Sequence, residues 1–135
     1  QKDADGRFTY DIGRAKSFNG SLAVGPWLVS KDEVHDPQNL AIETLVDGES
    51  RQSGSTEQMI WPVNEIIAYY STFLTLVPGT LIITGTPGGT AWGADPELGG
   101  TRPSRRNGSE YLRDGEQVTC RIETLGEVTN TIKLP

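Results

Sequence analysis

Residues 40–52, LAIETLVDGESRQ, decide the fold class. Apolar and polar residues alternate up to Asp47-Gly48 and resume beyond it, the pattern of two strands joined by a tight two-residue turn. Leu40, Ile42, Leu45 and Val46 are expected to face the core. The alternation returns in EQVTCRIETLGEVTNTIKL, residues 116–134, with Val118, Cys120 and Ile122 on one face. A turn is expected at Leu125-Gly126, with Val128 and Ile132 on the return strand.

Between these two pairs lies one helical segment. Pro62 suits a first helical turn, and Val63, Ile66, Ile67, Tyr70 and Leu74 recur at helical spacing. Pro78-Gly79 cannot continue a helix, so an end near Thr75 is expected. The β-branched run Thr80 to Gly85, TLIITG, then reads as a short buried strand. Residues 1–30 carry little periodicity, and a Gly, Pro and Arg-rich segment runs from Gly88 to Tyr111 without any period. A segment of that length is expected to be functional or unstructured. The fold class is mainly β with one or two helices, an α+β arrangement.

At 135 residues the chain fits one domain, residues 1–135. Twelve Lys plus Arg against 18 Asp plus Glu give a formal net charge of -6, which argues against nucleic acid or an anionic membrane surface as partner. Small molecules and proteins remain. The single cysteine, Cys120, cannot form an internal disulfide, and no apolar run approaches the ~20 residues of a membrane span. The cytoplasm is the default compartment. The opening QKDADG has no initiator Met and no signal-peptide pattern, so a piece of a longer chain is expected.

Two polar knots could carry chemistry. In LIITGTPGGT, residues 81–90, Gly85, Gly88 and Gly89 allow positive φ and close backbone approach, while Thr84 and Thr86 offer hydroxyls. Such a turn can receive a carboxylate. It can equally be a strand end with a Pro-Gly turn. No Lys-Ser or Lys-Thr follows at the offset a phosphate loop needs. In GRAKSFNGS, residues 13–21, Lys16 beside Phe18 could hold an ammonium close to an anionic oxygen, or it could be an ordinary solvated lysine. His35, the only histidine, sits in a turn with Asp32, Glu33 and Asp36 that matches no calcium loop. Arg102, Arg105 and Arg106 could draw in a carboxylate substrate but read first as a solvated loop, and Cys120 reads as a core residue.

Read in order, AKSFNGSLAVGPWLVSKDEVHDPQNL, then MIWPVNEIIAYYSTFLTLVPGTLIITGTPGGTAWG, then YLRDGEQVTCRIETLGEVTNTI, the chain resembles the C-terminal part of the fumarylacetoacetate hydrolase family's catalytic domain. The specific parts are Lys-Ser-Phe, Gly-Pro-Trp, the Pro-Gly before the apolar run, and Thr-Gly-Thr-Pro after it. The resemblance implies a mixed β-sandwich or roll, incomplete at its N-terminus. It also implies a Mg²⁺ or Mn²⁺ enzyme acting on 2-oxo acids, acylpyruvates or oxo-dioic acids, by C–C hydrolysis, decarboxylation or isomerisation, commonly as a homodimer.

By the same resemblance Lys16 and Thr86 are catalytic, and Gln1, Gly85, Thr86 and Pro87 contact substrate. The family's metal ligands, a Glu-x-Glu pair and an aspartate, precede the equivalent of Gln1. No metal ligand is therefore assigned to this chain, and it is expected to bind no ion alone. A freestanding, non-catalytic domain that binds a small carboxylate or a protein is the alternative.

Overall fold

The computed structural model describes residues 12–106 and 109–134. Among them, helix α1 spans Ile12–Lys16, strands β1 and β2 span Ala41–Val46 and Glu49–Ser55, and helix α2 spans Val63–Ser71. Strands β3, Gln117–Ile122, and β4, Gly126–Thr131, complete one four-stranded sheet in the order β2-β1-β3-β4. Every pairing is antiparallel. The α+β class expected from the alternation is what the chain adopts.

The first hairpin closes as its sequence dictates. Asp47 and Gly48 take φ of 50° and 80°, the left-handed pair that matches strand twist in a two-residue turn. The turn is also tied to β3: Asp47 donates its N–H to the Gln117 carbonyl at 2.9 Å, and Asp47 Oδ1 accepts the Gln117 N–H at 2.8 Å.

Cross-strand register assigns the two faces of the sheet. Ile42 pairs with Ile122, Val46 with Val118 and Cys120 with Val128, which makes one face largely apolar. On the other face, Arg121 pairs in register with Glu43 and Glu127 and reaches both carboxylates, at 3.8 and 2.8 Å. Thr119 and Thr129, also in register, share a 2.7 Å hydroxyl contact there. Leu40 and Val46 are buried as expected, at 7% and 4% exposure. Ile42 and Leu45 are half-buried, and Leu45 faces away from Val46 because consecutive strand residues point to opposite faces. Cys120 is exposed rather than part of the core, since among the described elements no helix packs over that part of the sheet.

Helix α2 starts where Pro62 directs it. The Pro62 carbonyl accepts the first helical bond from Ile66, and Gln38 Oε1 takes the otherwise free N–H of Val63 at 2.6 Å. The helix ends at Ser71, earlier than the expected Thr75. Ser71 and Thr72 hydroxyls donate to the Ala68 and Tyr69 carbonyls at 2.8 and 2.7 Å, and Thr72 and Phe73 close tighter, three-residue bonds. A turn at Val77–Thr80 follows, with Gly79 at φ 90°.

The expected strand at Thr80–Gly85 is absent. Its composition is right for a strand, yet a strand exists only when a neighbour completes its ladder. Among the described residues the sheet extends no edge to it, and Leu81 and Ile83 stay exposed.

The segment from Gly88 to Tyr111 is more structured than its lack of period suggests. It contains 3-10 turns at Ala91–Ala94 and Pro96–Leu98, the second capped by Asp95 Oδ1 accepting the Glu97 N–H. Its arginines are anchors, not a solvated loop. Arg102 Nη2 donates to the Thr90 carbonyl at 3.1 Å, Arg105 Nη1 to the Ser50 carbonyl at 2.9 Å, and Arg106 Nη1 pairs with Glu116 at 2.7 Å.

Candidate functional site

The site is built where the Thr84–Gly88 turn lies against β2. Two glycines permit the approach. A side chain at Gly89, φ 108°, would place its Cβ 2.3 Å from the Arg51 carbonyl oxygen, and one at Gly54 would meet Gln58 Oε1 at 2.7 Å and Pro87 Cβ at 3.5 Å. Between the two, Gln52 Nε2 donates to Thr86 Oγ1 and to the Pro87 carbonyl, each at 2.8 Å. The turn is thereby fastened side chain to backbone along the outer edge of the sheet.

The turn forms one wall of a cleft of about 440 Å³. Thr84, Gly85, Thr86, Pro87 and Gly88 line that wall, and Ile42, Met59, Trp61 and Ile66 supply apolar surface opposite. A second cleft of about 630 Å³ shares Trp61, Ile66 and Thr84 and continues along α2 past Glu65, Tyr69 and Tyr70. Hydroxyls on one side and apolar side chains on the other suit a small molecule with a polar, anionic head. Gln38 helps fix this geometry. Its Oε1 holds the start of α2 while its Nε2 donates to the Thr56 carbonyl at 3.2 Å, joining the helix to the end of β2.

Sequence-expected site residues fall into three groups. Gly85, Thr86 and Pro87 come together in the first cleft. Lys16 ends α1 with an exposed side chain, its carbonyl accepting the Ser21 hydroxyl at 2.9 Å, and it lines neither cleft. Gln1 lies outside the described residues. His35 is exposed, and Asp36 caps its own turn by accepting the Gln38 N–H. The Ser30 hydroxyl bonded to Asp32 holds that carboxyl below its ordinary value. Among the described residues no three of His, Cys, Asp or Glu converge to hold a metal ion, so these residues do not by themselves fit a divalent cation.

Behind the site sits an ionic cluster that sequence reading missed. Between Thr44 and Leu45 the β1–β2 register shifts, so that Arg51 is the extra residue of a bulge. Its guanidinium, 8% exposed, meets Glu110, 6% exposed, at 2.7 Å. Burial works against the charge of Glu110. Hydrogen bonds from the Arg105 N–H, the Ser104 hydroxyl and the Arg106 N–H, with the Arg102 charge, outweigh it, and the carboxyl lies below its ordinary value. Glu116 is likewise lowered, first by the Arg113 N–H and then, against some burial, by Arg106. Neither alternation nor spacing signals such a pair, because a bulge breaks the period that sequence reading relies on.

Comparison with known proteins bears on the same region. Residues 1–133 match the family model described as fumarylacetoacetate (FAA) hydrolase C-terminal. The mitochondrial oxaloacetate tautomerase Fahd2a of Rattus norvegicus is 38% identical over 117 residues, 87% of this chain and 34% of that protein. Among solved structures, the fumarylacetoacetate hydrolase of the psychrophile Exiguobacterium antarcticum matches with a TM-score of 0.77 and 37% identity, over 90% of this chain and 39% of the other. The maleylpyruvate hydrolase of Sphingobium sp. SYK-6, in complex with manganese(II) and pyruvate, matches with a TM-score of 0.64 and 28% identity, over 81% and 34%. The chain thus spans about a third of the length of these relatives.

Proposed function

The chain belongs to the fumarylacetoacetate hydrolase family, and from that premise we propose that residues 1–135 are the C-terminal portion of a catalytic domain acting on 2-oxo acids. The substrates are acylpyruvates or oxo-dioic acids, and the reaction is C–C hydrolysis, decarboxylation or isomerisation. The observation that carries this reading is the Thr84–Gly88 turn, whose hydroxyls and glycines line a cleft of suitable size opposite apolar side chains. That an oxaloacetate tautomerase and a maleylpyruvate hydrolase are similar to the chain, at 38% and 28% identity, supports the substrate class.

In this reading Thr86 donates its hydroxyl to the substrate carboxylate, with Gly85 allowing close approach and Pro87 closing the wall. Lys16 adds positive charge beside the anion that develops during reaction, which requires the α1 end and the cleft to come together around substrate. Gln1 contacts substrate. A divalent ion, Mg²⁺ or Mn²⁺, is what the resemblance implies for the whole protein; when bound it would supply electron withdrawal at the 2-oxo group, and the described residues offer no ligand set for it. The lone Cys120 is consistent with a reducing compartment, and the cytoplasm is the one we propose.

The test is activity of the protein as encoded against a panel of acylpyruvates and oxo-dioic acids. Thr86→Val and Lys16→Met are each expected to lower kcat/KM by about 100-fold on the substrate that turns over. Wild-type activity in either variant removes that residue from the site. No turnover across the panel removes the reading.

A further inference from the structure

Gln52 was marked by no motif, yet its position fixes the chemistry of Thr86. Its Nε2 stands 2.8 Å from the Pro87 carbonyl and 2.8 Å from Thr86 Oγ1. A carbonyl oxygen can only accept, so the amide must present its NH₂ group on this side. Both N–H bonds of that group are then committed, one to Pro87 and one to Thr86. An NH₂ group cannot accept in return, so Thr86 Oγ1 must be the acceptor in its bond to Gln52. The single hydroxyl proton of Thr86 is left to point elsewhere, and Thr86 lines the cleft.

We infer that Gln52 is a positioning residue which holds the Thr86 hydroxyl as a hydrogen-bond donor toward the cleft, and so selects an anionic carboxylate oxygen there. The inference rests on the functional reading above and names the group that sets the polarity of its binding wall. Without Gln52 the Thr86 hydroxyl rotates freely and can present either a proton or a lone pair. A carboxylate at position 52 goes further: it can only accept, so it draws the Thr86 proton away from the cleft and places a negative charge behind it. The scaffold around Gln52 limits alternatives. A Cβ on Gly89 would lie 3.3 Å from the Gln52 Cα, so the segment carrying Thr86 is held close to the β2 backbone from which the amide reaches it.

The experiment is a double-substitution cycle on the protein as encoded. Pyruvate and oxalate serve as carboxylate probes by calorimetry, and KM and kcat are read on the best substrate. Gln52→Glu is expected to weaken probe binding and raise KM by about tenfold or more, the worth of one charge-assisted hydrogen bond, with a smaller change in kcat. Gln52→Met, which removes the donors without adding charge, is expected to give a change of a few fold. In a Thr86→Val background Gln52→Met should have little further effect on binding, and Gln52→Glu should retain only the smaller effect of its charge.

A ligand-free arm reads the pairing itself: the effects of Gln52→Met and Thr86→Val on the thermal midpoint should be strongly non-additive. Additive midpoints overturn the pairing. Coupled midpoints with probe binding unchanged in Gln52→Glu overturn the orienting role while leaving the functional reading intact. A parent protein that binds neither probe and turns over no 2-oxo acid sinks the functional reading and the carboxylate selection with it.

Discussion

Arg51 and Glu110 stand 59 residues apart in sequence and 2.7 Å apart in space, each side chain more than nine-tenths buried. The pair ties the Gly88–Tyr111 segment to the bulge of β2, immediately behind the Thr86 turn. Glu110→Ala should cost about 3 kcal/mol, because it leaves the buried Arg51 charge with only a 3.7 Å contact to the exposed Glu49 carboxylate. Urea unfolding measures it. A loss no larger than that of an exposed carboxylate such as Glu97 would show that the pair does not anchor the segment.

Acid should loosen the same anchor. The folded-state values of Glu110 and Glu116 lie below the ordinary 4.5. A depressed carboxyl stabilises the fold fully above its unfolded value, and that contribution disappears as pH falls through the folded value. Stability should hold level from neutral pH down to the ordinary carboxyl range and fall below it. In Glu110→Gln that acid limb should flatten. An unchanged slope in the variant would assign acid sensitivity to other carboxylates.

Neighbouring glycines in the turn should respond in opposite ways. Gly89→Ala forces a Cβ into the Arg51 carbonyl at 2.3 Å with φ at 108°, and about 2 kcal/mol or more should be lost together with carboxylate binding. Gly88→Ala meets nothing within 4 Å and has no positive φ, so it should be near neutral. Equal thermal midpoints for the two variants would mean that the turn does not seat on β2 as described.

Association is expected as well. Trp61, just before α2, Tyr69 on it and Phe73, just after it, are 64%, 65% and 59% exposed, and no side chain among the described residues is fully buried. Apolar area of this extent ordinarily lies against another surface. The protein as encoded is expected to be a homodimer or larger assembly, read by light scattering over a concentration series. A monomer at the highest soluble concentration counts against it.

What sequence made legible was local. Both hairpins follow from alternation plus a turn, but only the first has an Asp-Gly pair; in the second the turn falls on residues 123–125, with Thr124 at φ 62°, and Gly126, expected in the turn, already pairs with Ile122. Helix α2 was legible in its start and its spacing. Its end was not, because Ser71 and Thr72 compete for carbonyls that a pattern of apolar residues does not register. The run at Thr80–Gly85 misled for the reverse reason: its composition describes a strand, but strand formation depends on a neighbour that composition cannot name. Within the site, the Thr-Gly-Thr-Pro turn stood out. Gln52 and Gln38 did not, since a single amide reveals its role only through the two partners it joins.

The sheet has two outer strands, and they differ in how open they are. Along β2 the Ser50 and Arg51 carbonyls accept from the Arg105 guanidinium, at 2.9 and 3.2 Å, and Gly89 lies against Arg51. A newcomer strand cannot dock there without first displacing the turn that forms the cleft. On the far side β4 pairs with β3 alone, and its Gly126–Thr131 backbone meets no further strand among the described residues. Among the described residues the open edge is therefore that of β4, and an additional strand, from elsewhere in the protein or from a second copy, is expected beside it rather than at the ligand wall.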